Sequence, residues 1–271
     1  MPEVRERSGA PVRRERFIAG NWKMNKGASE SLEFLRKLSV LLEQGEDIPD
    51  NVNMALFPQA VNIIPMADHI RSSGVNVLLG IQNIHCKPSG AFTGENSIPC
   101  AIEAGAKLAL VGHSERRHIF REDDLLVSNK YLACLEQGIE PLLCVGETEE
   151  ERNRGLTKDV IERQVSSVFS SDRVIMAEQE RILIAYEPVW AIGTGMNATA
   201  GDARECCALI RDLLSGLGGP SLAARSLISY GGSVKSSNSE DYLEQEEIDG
   251  LLIGGASLDP DEFYRIICNA F

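Results

Sequence analysis

The stretch 182–190 reads ILIAYEPVW, a short apolar run that passes directly into a charged residue, Glu187. The run is rich in branched and aromatic side chains, which is typical of a strand buried on both faces of a parallel sheet. Similar runs recur along the chain, and amphipathic stretches separate them. The predicted strands are 17–21, 53–57, 77–82, 108–112, 140–145, 182–186, 226–230 and 250–253.

Eight strands that alternate with helical patterns are the number expected of a closed parallel barrel. Amphipathic stretches at 31–43, 129–137 and 202–214 illustrate the helical pattern. We therefore predict an α/β fold, a (β/α)8 barrel of eight parallel strands ringed by helices, as one catalytic domain over 17–271. An open doubly wound sheet is the alternative, but the turn Gly20-Asn21-Trp22-Lys23 lacks the Gly-rich phosphate motif usual after its first strand.

The amino-acid composition of the chain argues against several classes of function. The 271 residues carry a formal net charge of -13, which argues against a nucleic-acid partner. The 7 cysteines are odd in number and lack metal-ligand spacing, so we expect reduced thiols, a cytoplasmic protein and no metal. No apolar run is long enough to cross a membrane. Residues 1–16 mix arginines with glutamates, and we expect a flexible charged tail there.

Polar residues and glycines follow most of the predicted strands. Because the C-terminal ends of barrel strands meet at one face, and barrel active sites are built there, we predict a site at that face. Its candidates are Asn21 and Lys23 after the first strand, Gln82 and Asn83 after the third, His113 and Glu115 after the fourth, Glu187 after the sixth, Ser233 after the seventh, and Gly254 and Gly255 after the eighth.

Two of these residues suggest proton transfer. Glu187 stands beside Pro188 and Trp190, and partial desolvation would make its carboxylate a stronger base; a solvated loop glutamate or a salt-bridge partner is the simpler interpretation. His113 stands where a strand ends and a short helix begins. Backbone N–H groups at a helix N-terminus disfavour an added proton, so we expect a neutral ring that donates to a carbonyl oxygen. A packed, structural histidine is the alternative.

Other residues suggest an anion site. Lys23 is a cation in a chain of strongly negative charge, although a surface lysine is the simpler interpretation. Glycines at 231–232 and 254–255 would let backbone N–H groups reach a phosphate, which barrels often bind after strands seven and eight. Residues 188–195 combine a rigid start with flexible glycines and suit a lid over the site; an irregular connecting loop is the alternative.

Seven motifs in order resemble the triosephosphate isomerase family from about residue 17 to 271. They are GNWKMN at 20–25, QN at 82–83, GAFTGE at 90–95, GHSERR at 112–117, AYEPVWAIGTG at 185–195, YGGSV at 230–234 and GGASL at 254–258. The resemblance implies cofactor-free interconversion of dihydroxyacetone phosphate and D-glyceraldehyde 3-phosphate, a reaction of glycolysis and gluconeogenesis, by a cytoplasmic homodimer.

The resemblance also implies a role for individual residues. Glu187 would be the catalytic base, His113 the electrophile and Lys23 the catalytic cation. Cys144 would be a buried packing residue. Substrate binding would involve Asn21, Trp22, Lys23, Gly193, Ser233, Gly254 and Gly255, with support from Glu115, Ser114 and Thr93, the last reaching the neighbouring subunit.

One segment departs from the family pattern. After GTG many members carry Lys-Thr-Ala, whereas this chain has Met196-Asn197-Ala198, which leaves the behaviour of the lid hinge open. Thr199 and Asp202 have the spacing of a helix capping box. A catalytically inactive barrel that serves in binding, and another phosphate-sugar barrel enzyme, are the competing functions. The first usually loses the base, the histidine or the lysine, and the second lacks this base-and-lid segment.

Overall fold

A computed structural model describes residues 15–177, 179, 181–191 and 198–271. Its strands close a barrel in chain order, every neighbouring pair is parallel, and the last strand pairs with the first. The predicted fold class is therefore confirmed. The strands are β1 Arg16–Asn21, β2 Val52–Phe57, β3 Leu78–Ile81, β4 Leu108–Val111, β5 Glu140–Val145, β6 Ile182–Tyr186, β7 Ser226–Tyr230 and β8 Gly250–Ile253.

Helices follow the strands and form the outer layer. They are α1 Ala28–Gln44, α2 Ile63–Ser73, α3 Ile98–Ala104, α4 Ser114–His118, α5 Asp124–Gln137, α6 Glu149–Asn153, α7 Thr157–Phe169, α8 Asp172–Ile175, α9 Ala200–Ala224, α10 Ser239–Leu243 and α11 Pro260–Cys268. Short 3-10 helices cover Ala60–Asn62, Val189–Ala191 and Gly255–Leu258. The three predicted amphipathic stretches lie inside α1, α5 and α9.

The core has two layers, which the alternation of side chains along each strand creates. In β1, Phe17 and Ala19 face the barrel interior, whereas Ile18 packs against the outer helices. Gly80 of β3 makes room for a large interior ring, because a Cβ there would lie 2.1 Å from Phe57 Cε1. The interior side chains are Phe17, Ala19, Ala55, Phe57, Leu108, Leu110, Leu142, Cys144, Leu183, Ala185, Leu227 and Leu252.

Strand register places the residues that follow β5, β6 and β7 at one level. Val145 pairs with Tyr186, and Tyr186 pairs with Tyr230. The backbone continues this ladder for one step, since the Glu187 N–H donates to the Val145 carbonyl at 2.7 Å and the Gly231 N–H donates to the Tyr186 carbonyl at 2.8 Å. Glu187 is thus fixed by the barrel itself rather than by a free loop.

The predicted N-terminal tail, 1–16, lies mostly outside the described residues, which begin at 15. Arg16 already belongs to β1, and its guanidinium donates to the carbonyls of Leu243 and Ile248. Within the part of the chain that the structure describes, no helix is long and apolar enough to span a membrane.

Candidate active site

A cavity of about 590 Å³ opens at the C-terminal ends of the strands. It brings together most of the residues that the sequence predicted for the site. Of these, Asn21, Trp22, Lys23, His113, Glu187, Ser233, Gly254 and Gly255 line it. Ser114 and Glu115 reach the same site through direct contacts with Glu187 and Lys23.

Glu187 is the buried carboxylate of this cavity, with only 3% of its surface exposed. One carboxylate oxygen, Oε1, lies 2.9 Å from His113 Nε2. The other, Oε2, accepts a hydrogen bond from the Ser114 backbone N–H at 2.9 Å. The backbone passes close to Gly146, where a Cβ would lie only 1.9 Å from the Glu187 carbonyl oxygen. Glu187 is therefore fixed at both its side chain and its main chain.

Opposing effects set the acidity of Glu187. From burial, the sequence predicted a stronger base at Glu187, and burial alone does raise the pKa of its carboxyl group, but the net shift in this structure is in the other direction. The His113 side chain, the Ser114 N–H and the charge of Lys23 outweigh burial, and together they hold the pKa of Glu187 below its ordinary value. In this arrangement the carboxylate is ionised at neutral pH and can accept a proton.

His113 is the N-cap residue of α4, at the strand-to-helix junction that the sequence predicted. Its Nδ1 accepts a hydrogen bond from the Glu115 backbone N–H at 3.3 Å, so the proton of a neutral ring belongs on Nε2, which faces Glu187. Burial lowers the pKa of His113, but the Glu187 carboxylate raises it, and the balance lies above the ordinary value. The neutral ring therefore stays a prediction.

Lys23 adopts a left-handed backbone conformation with φ of 52°. Its N–H donates to Asn21 Oδ1 at 3.0 Å, and its carbonyl accepts from Gln82 Nε2 at 2.7 Å. The ammonium group forms an ion pair with Glu115 Oε1 at 2.7 Å. These contacts point Lys23 into the cavity, where its Cε lies 3.7 Å from a Cβ position on Gly254. The sequence placed Gln82 at this face but did not assign it this positioning role.

Trp22 forms part of the cavity wall, and its one polar group is used in a bond to the protein backbone. Its indole is fully buried, packs edge-on against Phe34 at a centroid distance of 4.8 Å, and donates from Nε1 to the Ser257 carbonyl at 2.9 Å. That bond joins the loop after β1 to the short helix Gly255–Leu258 after β8. Trp22 thus fixes the relative positions of the two parts of the site that carry the lysine and the glycines.

Small residues that follow β7 and β8 lie at the cavity wall: Gly231, Gly232 and Ser233 after β7, and Gly254 and Gly255 after β8. The short helix Gly255–Leu258 begins here, and the N–H groups that precede its first bond, from the Ser257 N–H to the Gly254 carbonyl at 3.0 Å, are available to an anion. Gly231 also lies close to the base, since a Cβ there would be 3.0 Å from Glu187 Cγ. An anion held by these loops is therefore near Glu187.

A second buried carboxylate, Glu147, supports the segment that follows the base. Its oxygens accept hydrogen bonds from the Tyr186 hydroxyl at 3.1 and 3.2 Å and from Trp190 Nε1 at 2.9 Å. Arg152 stacks on Trp190 at 4.2 Å and pairs with Asp202 at 3.1 Å. Sequence reasoning missed Glu147, although its position at the C-terminal end of β5 was a signal for it.

Four further predicted features have separate outcomes. Cys144 is fully buried in the barrel interior, and burial raises its pKa well above the ordinary value, as befits a packing residue. Thr93 is exposed and does not line the cavity. Of the predicted lid, Val189–Ala191 forms a short 3-10 helix, while Gly193 and the rest of 192–197 lie outside the described residues. The capping box between Thr199 and Asp202 is confirmed.

Metal binding finds no support in the described ranges. Among those residues no group of three or more His, Cys, Asp or Glu side chains is arranged to hold a metal ion.

The parallel barrel and the contact between an ionised carboxylate and an imidazole define a (β/α)8-barrel enzyme suited to proton transfer. Sequence comparison identifies which one. The model of the triosephosphate isomerase family matches residues 16–270, so the chain belongs to that family.

Individual relatives agree over nearly the whole chain. Proteins named triosephosphate isomerase from Aquifex aeolicus and Carboxydothermus hydrogenoformans are each 44% identical to it. The first match covers 93% of this chain and 98% of the relative, and the second covers 94% and 98%. A third, from Finegoldia magna, is 40% identical over 94% of this chain and 98% of the relative.

Proposed function

We propose that this enzyme interconverts dihydroxyacetone phosphate and D-glyceraldehyde 3-phosphate without a cofactor, through an enediolate. The contact that supports this most directly is the 2.9 Å distance between Glu187 Oε1 and His113 Nε2 in the wall of the cavity. Glu187 takes a proton from one substrate carbon and returns it to the next. His113 donates from Nε2 to the carbonyl oxygen, which gains negative charge as the enediolate forms.

Substrate binding must rearrange this pair. The Nε2–H of a neutral His113 has one hydrogen to donate, and Glu187 Oε1 holds it in the structure described here. A substrate oxygen would replace Oε1 as the acceptor, which frees the carboxylate to approach the substrate carbon. Loss of the His113 contact also removes one of the effects that lower the pKa of Glu187, so its basicity would rise when it is needed.

The phosphate group would bind at the glycine-lined part of the cavity. Backbone N–H groups of 232–233 and 254–255 supply uncharged donors, and Lys23 supplies the positive charge. Trp22 and Asn21 hold Lys23 in place, and Glu115 orients its ammonium group. We assign Gly193 a further backbone contact to the phosphate on the family resemblance alone.

Two alternatives are less well supported. An inactive binding barrel would have no reason to retain the base, the imidazole and the lysine in one cavity. Another phosphate-sugar barrel enzyme would share the glycine loops, but the family model covers the base segment as well.

A coupled assay with glyceraldehyde 3-phosphate separates these functions, with Glu187→Gln as the matched control. The substitution keeps the shape of the side chain and removes the base, so we expect the rate to fall by at least roughly 100-fold. A correctly folded wild-type protein without isomerase activity, or a fully active Glu187→Gln variant, would contradict the proposal.

We also propose that the enzyme is a homodimer. Large apolar side chains are exposed in the segments that follow β1 to β4, and these strands are neighbours in the barrel. They are Met24, Val40, Val61, Ile64, Phe92, Ile119, Phe120 and Leu125. Phe92 stacks on His85 at 3.9 Å and stiffens the loop that carries Thr93. By resemblance, Thr93 would lie near Asn21 of the partner subunit.

Light scattering tests the assembly, and a fully active monomer at assay concentration would contradict it. We propose a cytoplasmic location because all 7 cysteines are free thiols. Cell fractionation with an activity assay would test that location.

A further inference from the structure

Tyr242 is a buried tyrosine of α10, the short helix that follows the predicted phosphate loop, 231–233. Only 3% of its surface is exposed. Its ring stacks on Tyr230, with centroids 4.2 Å apart and 20° between the ring planes. Its hydroxyl donates a buried hydrogen bond of 2.7 Å to the Ala198 carbonyl. The side chain therefore has a fixed position and a fixed orientation.

Tyr230 links this side chain to the phosphate loop. It is the last residue of β7, directly before Gly231, and its phenol turns back beneath the loop. A Cβ placed on Gly232 would lie 2.1 Å from Tyr230 Oη and 2.4 Å from its Cζ. The Gly232 backbone thus rests on the Tyr230 ring, and any shift of that ring changes where the Gly232 N–H points.

Ala198, which accepts the hydrogen bond from Tyr242, is also held in place. Ala198 directly precedes Thr199, whose hydroxyl and N–H form the reciprocal capping box with Asp202. Burial raises the pKa of Tyr242, so its phenol remains a neutral donor to the Ala198 carbonyl. A continuous series of contacts therefore joins the start of α9 to the phosphate loop through two stacked tyrosines.

We propose that Tyr242 is a positioning residue for phosphate binding: acting through Tyr230, it holds Gly232 where the backbone N–H groups of the loop meet the substrate phosphate. The inference rests on the proposed function, because it takes 231–233 to be the phosphate loop. Tyr242 does not line the cavity, so it would act on the substrate only through Tyr230. Its effect is on the affinity for the phosphate group, which all phosphorylated ligands share.

The test compares Tyr242→Phe and Tyr242→Leu by KM, kcat and the inhibition constant of inorganic phosphate. Tyr242→Phe keeps the stacked ring and removes the hydrogen bond to Ala198. We therefore expect KM and the inhibition constant of phosphate each to rise by about fivefold, which corresponds to the loss of one net hydrogen bond. Tyr242→Leu also removes the ring, so we expect KM and the inhibition constant of phosphate to rise by about tenfold or more. The value of kcat should change by less than about threefold, since Glu187 and His113 stay in place.

Tyr131→Leu is the matched control. Tyr131 is also fully buried and packs against an aromatic ring, Phe169, at 5.4 Å, but it lies between α5 and α7 outside the barrel. We expect the Tyr131→Leu variant to lose stability as well, but to keep the wild-type inhibition constant for phosphate. KM and an inhibition constant do not depend on the fraction of enzyme that is folded, so general destabilisation does not mimic the effect.

The outcomes separate the two proposals. An unchanged inhibition constant of phosphate in Tyr242→Phe and Tyr242→Leu would overturn the role of Tyr242 but would not affect the assignment of 231–233 as the phosphate loop. The same conclusion would follow if this constant rose equally in Tyr131→Leu. A wild-type enzyme that phosphate does not inhibit competitively would overturn both. If Tyr242→Leu does not fold, Tyr242→Phe decides alone.

Discussion

Replacing Ala200 by proline should stabilise the enzyme by about 0.4–1 kcal/mol. Ala200 is the first residue of α9, a position where proline fits because no intrahelical bond needs its N–H. Thr199 before it has φ of -67° and ψ of 158°, the extended conformation that a residue before proline prefers. The folded state therefore accepts the ring without strain, and the gain comes from a less flexible unfolded chain.

The contacts around this helix start do not involve the Ala200 N–H. In the capping box, the Thr199 N–H donates to Asp202 Oδ2 and the Asp202 N–H donates to Thr199 Oγ1, each at 3.1 Å. The first intrahelical bond runs from the Ala203 N–H to the Thr199 carbonyl at 3.0 Å. Proline at Ala203 would remove that bond, so Ala203→Pro is the matched control, with an expected loss of about 3 kcal/mol or more.

Urea unfolding at one fixed protein concentration measures both variants, because oligomers unfold in a concentration-dependent way. With a slope of about 3 kcal/mol per molar urea, the expected gain moves the midpoint of Ala200→Pro upward by about 0.1–0.3 M. A lower midpoint at unchanged slope would refute the reasoning. It would mean that the Ala200 N–H makes a contact that matters more than the restriction of the unfolded chain.

Three further predictions concern the chemistry of the site. Glu187→Asp withdraws the carboxylate by about one methylene, which should lower kcat roughly 100-fold and change KM little; steady-state kinetics with a near-wild-type kcat would reject the base. Nitrogen-15 NMR should find the His113 ring neutral at the working pH, although the Glu187 contact raises the pKa of the ring and so extends its protonated range to higher pH. Because Glu187 raises the pKa of His113, Glu187→Gln should move that titration to lower pH, and an imidazolium at neutral pH in the wild type would contradict the electrophile. Lys23→Ala should weaken binding of a phosphoglycolate-like inhibitor, whereas Lys107→Ala, at the opposite end of the barrel, should not; equal affinities in a calorimetric titration would exclude Lys23 from the anion site.

Sequence reasoning located the barrel because its strands are buried on both faces and leave continuous apolar runs. It did less well at helix ends, where capping decides the boundary. Helix α5 begins at Asp124, five residues before the predicted start, because the Asp123 carboxylate caps the Leu126 N–H. The helical segment α9 is interrupted at Gly219, where the backbone is non-helical with φ of 81° and ψ of 175°, and a second helical piece that contains Pro220 follows to Ala224.

The site residues that act through their own position after a strand were predictable from the sequence. Those whose role depends on a contact with a residue distant in the sequence were less predictable. Glu187, His113 and Lys23 lie within two residues of strand ends, so strand order alone places them at one face. Glu147 depends on Tyr186 and Trp190, which approach it from the neighbouring strand, and a linear pattern does not reveal such a contact. The same holds for Tyr242, whose partners are distant in the sequence.

Gly146 has a consequence for how this enzyme can change by mutation. Every other amino acid at 146 would bring a Cβ within 1.9 Å of the Glu187 carbonyl and push the catalytic main chain aside. A lineage or a directed-evolution library that starts from this sequence therefore finds no neutral first step at 146, whatever the codon. Compensation would require a simultaneous shift of the backbone at Glu187, so a deep mutational scan should find only glycine tolerated at position 146.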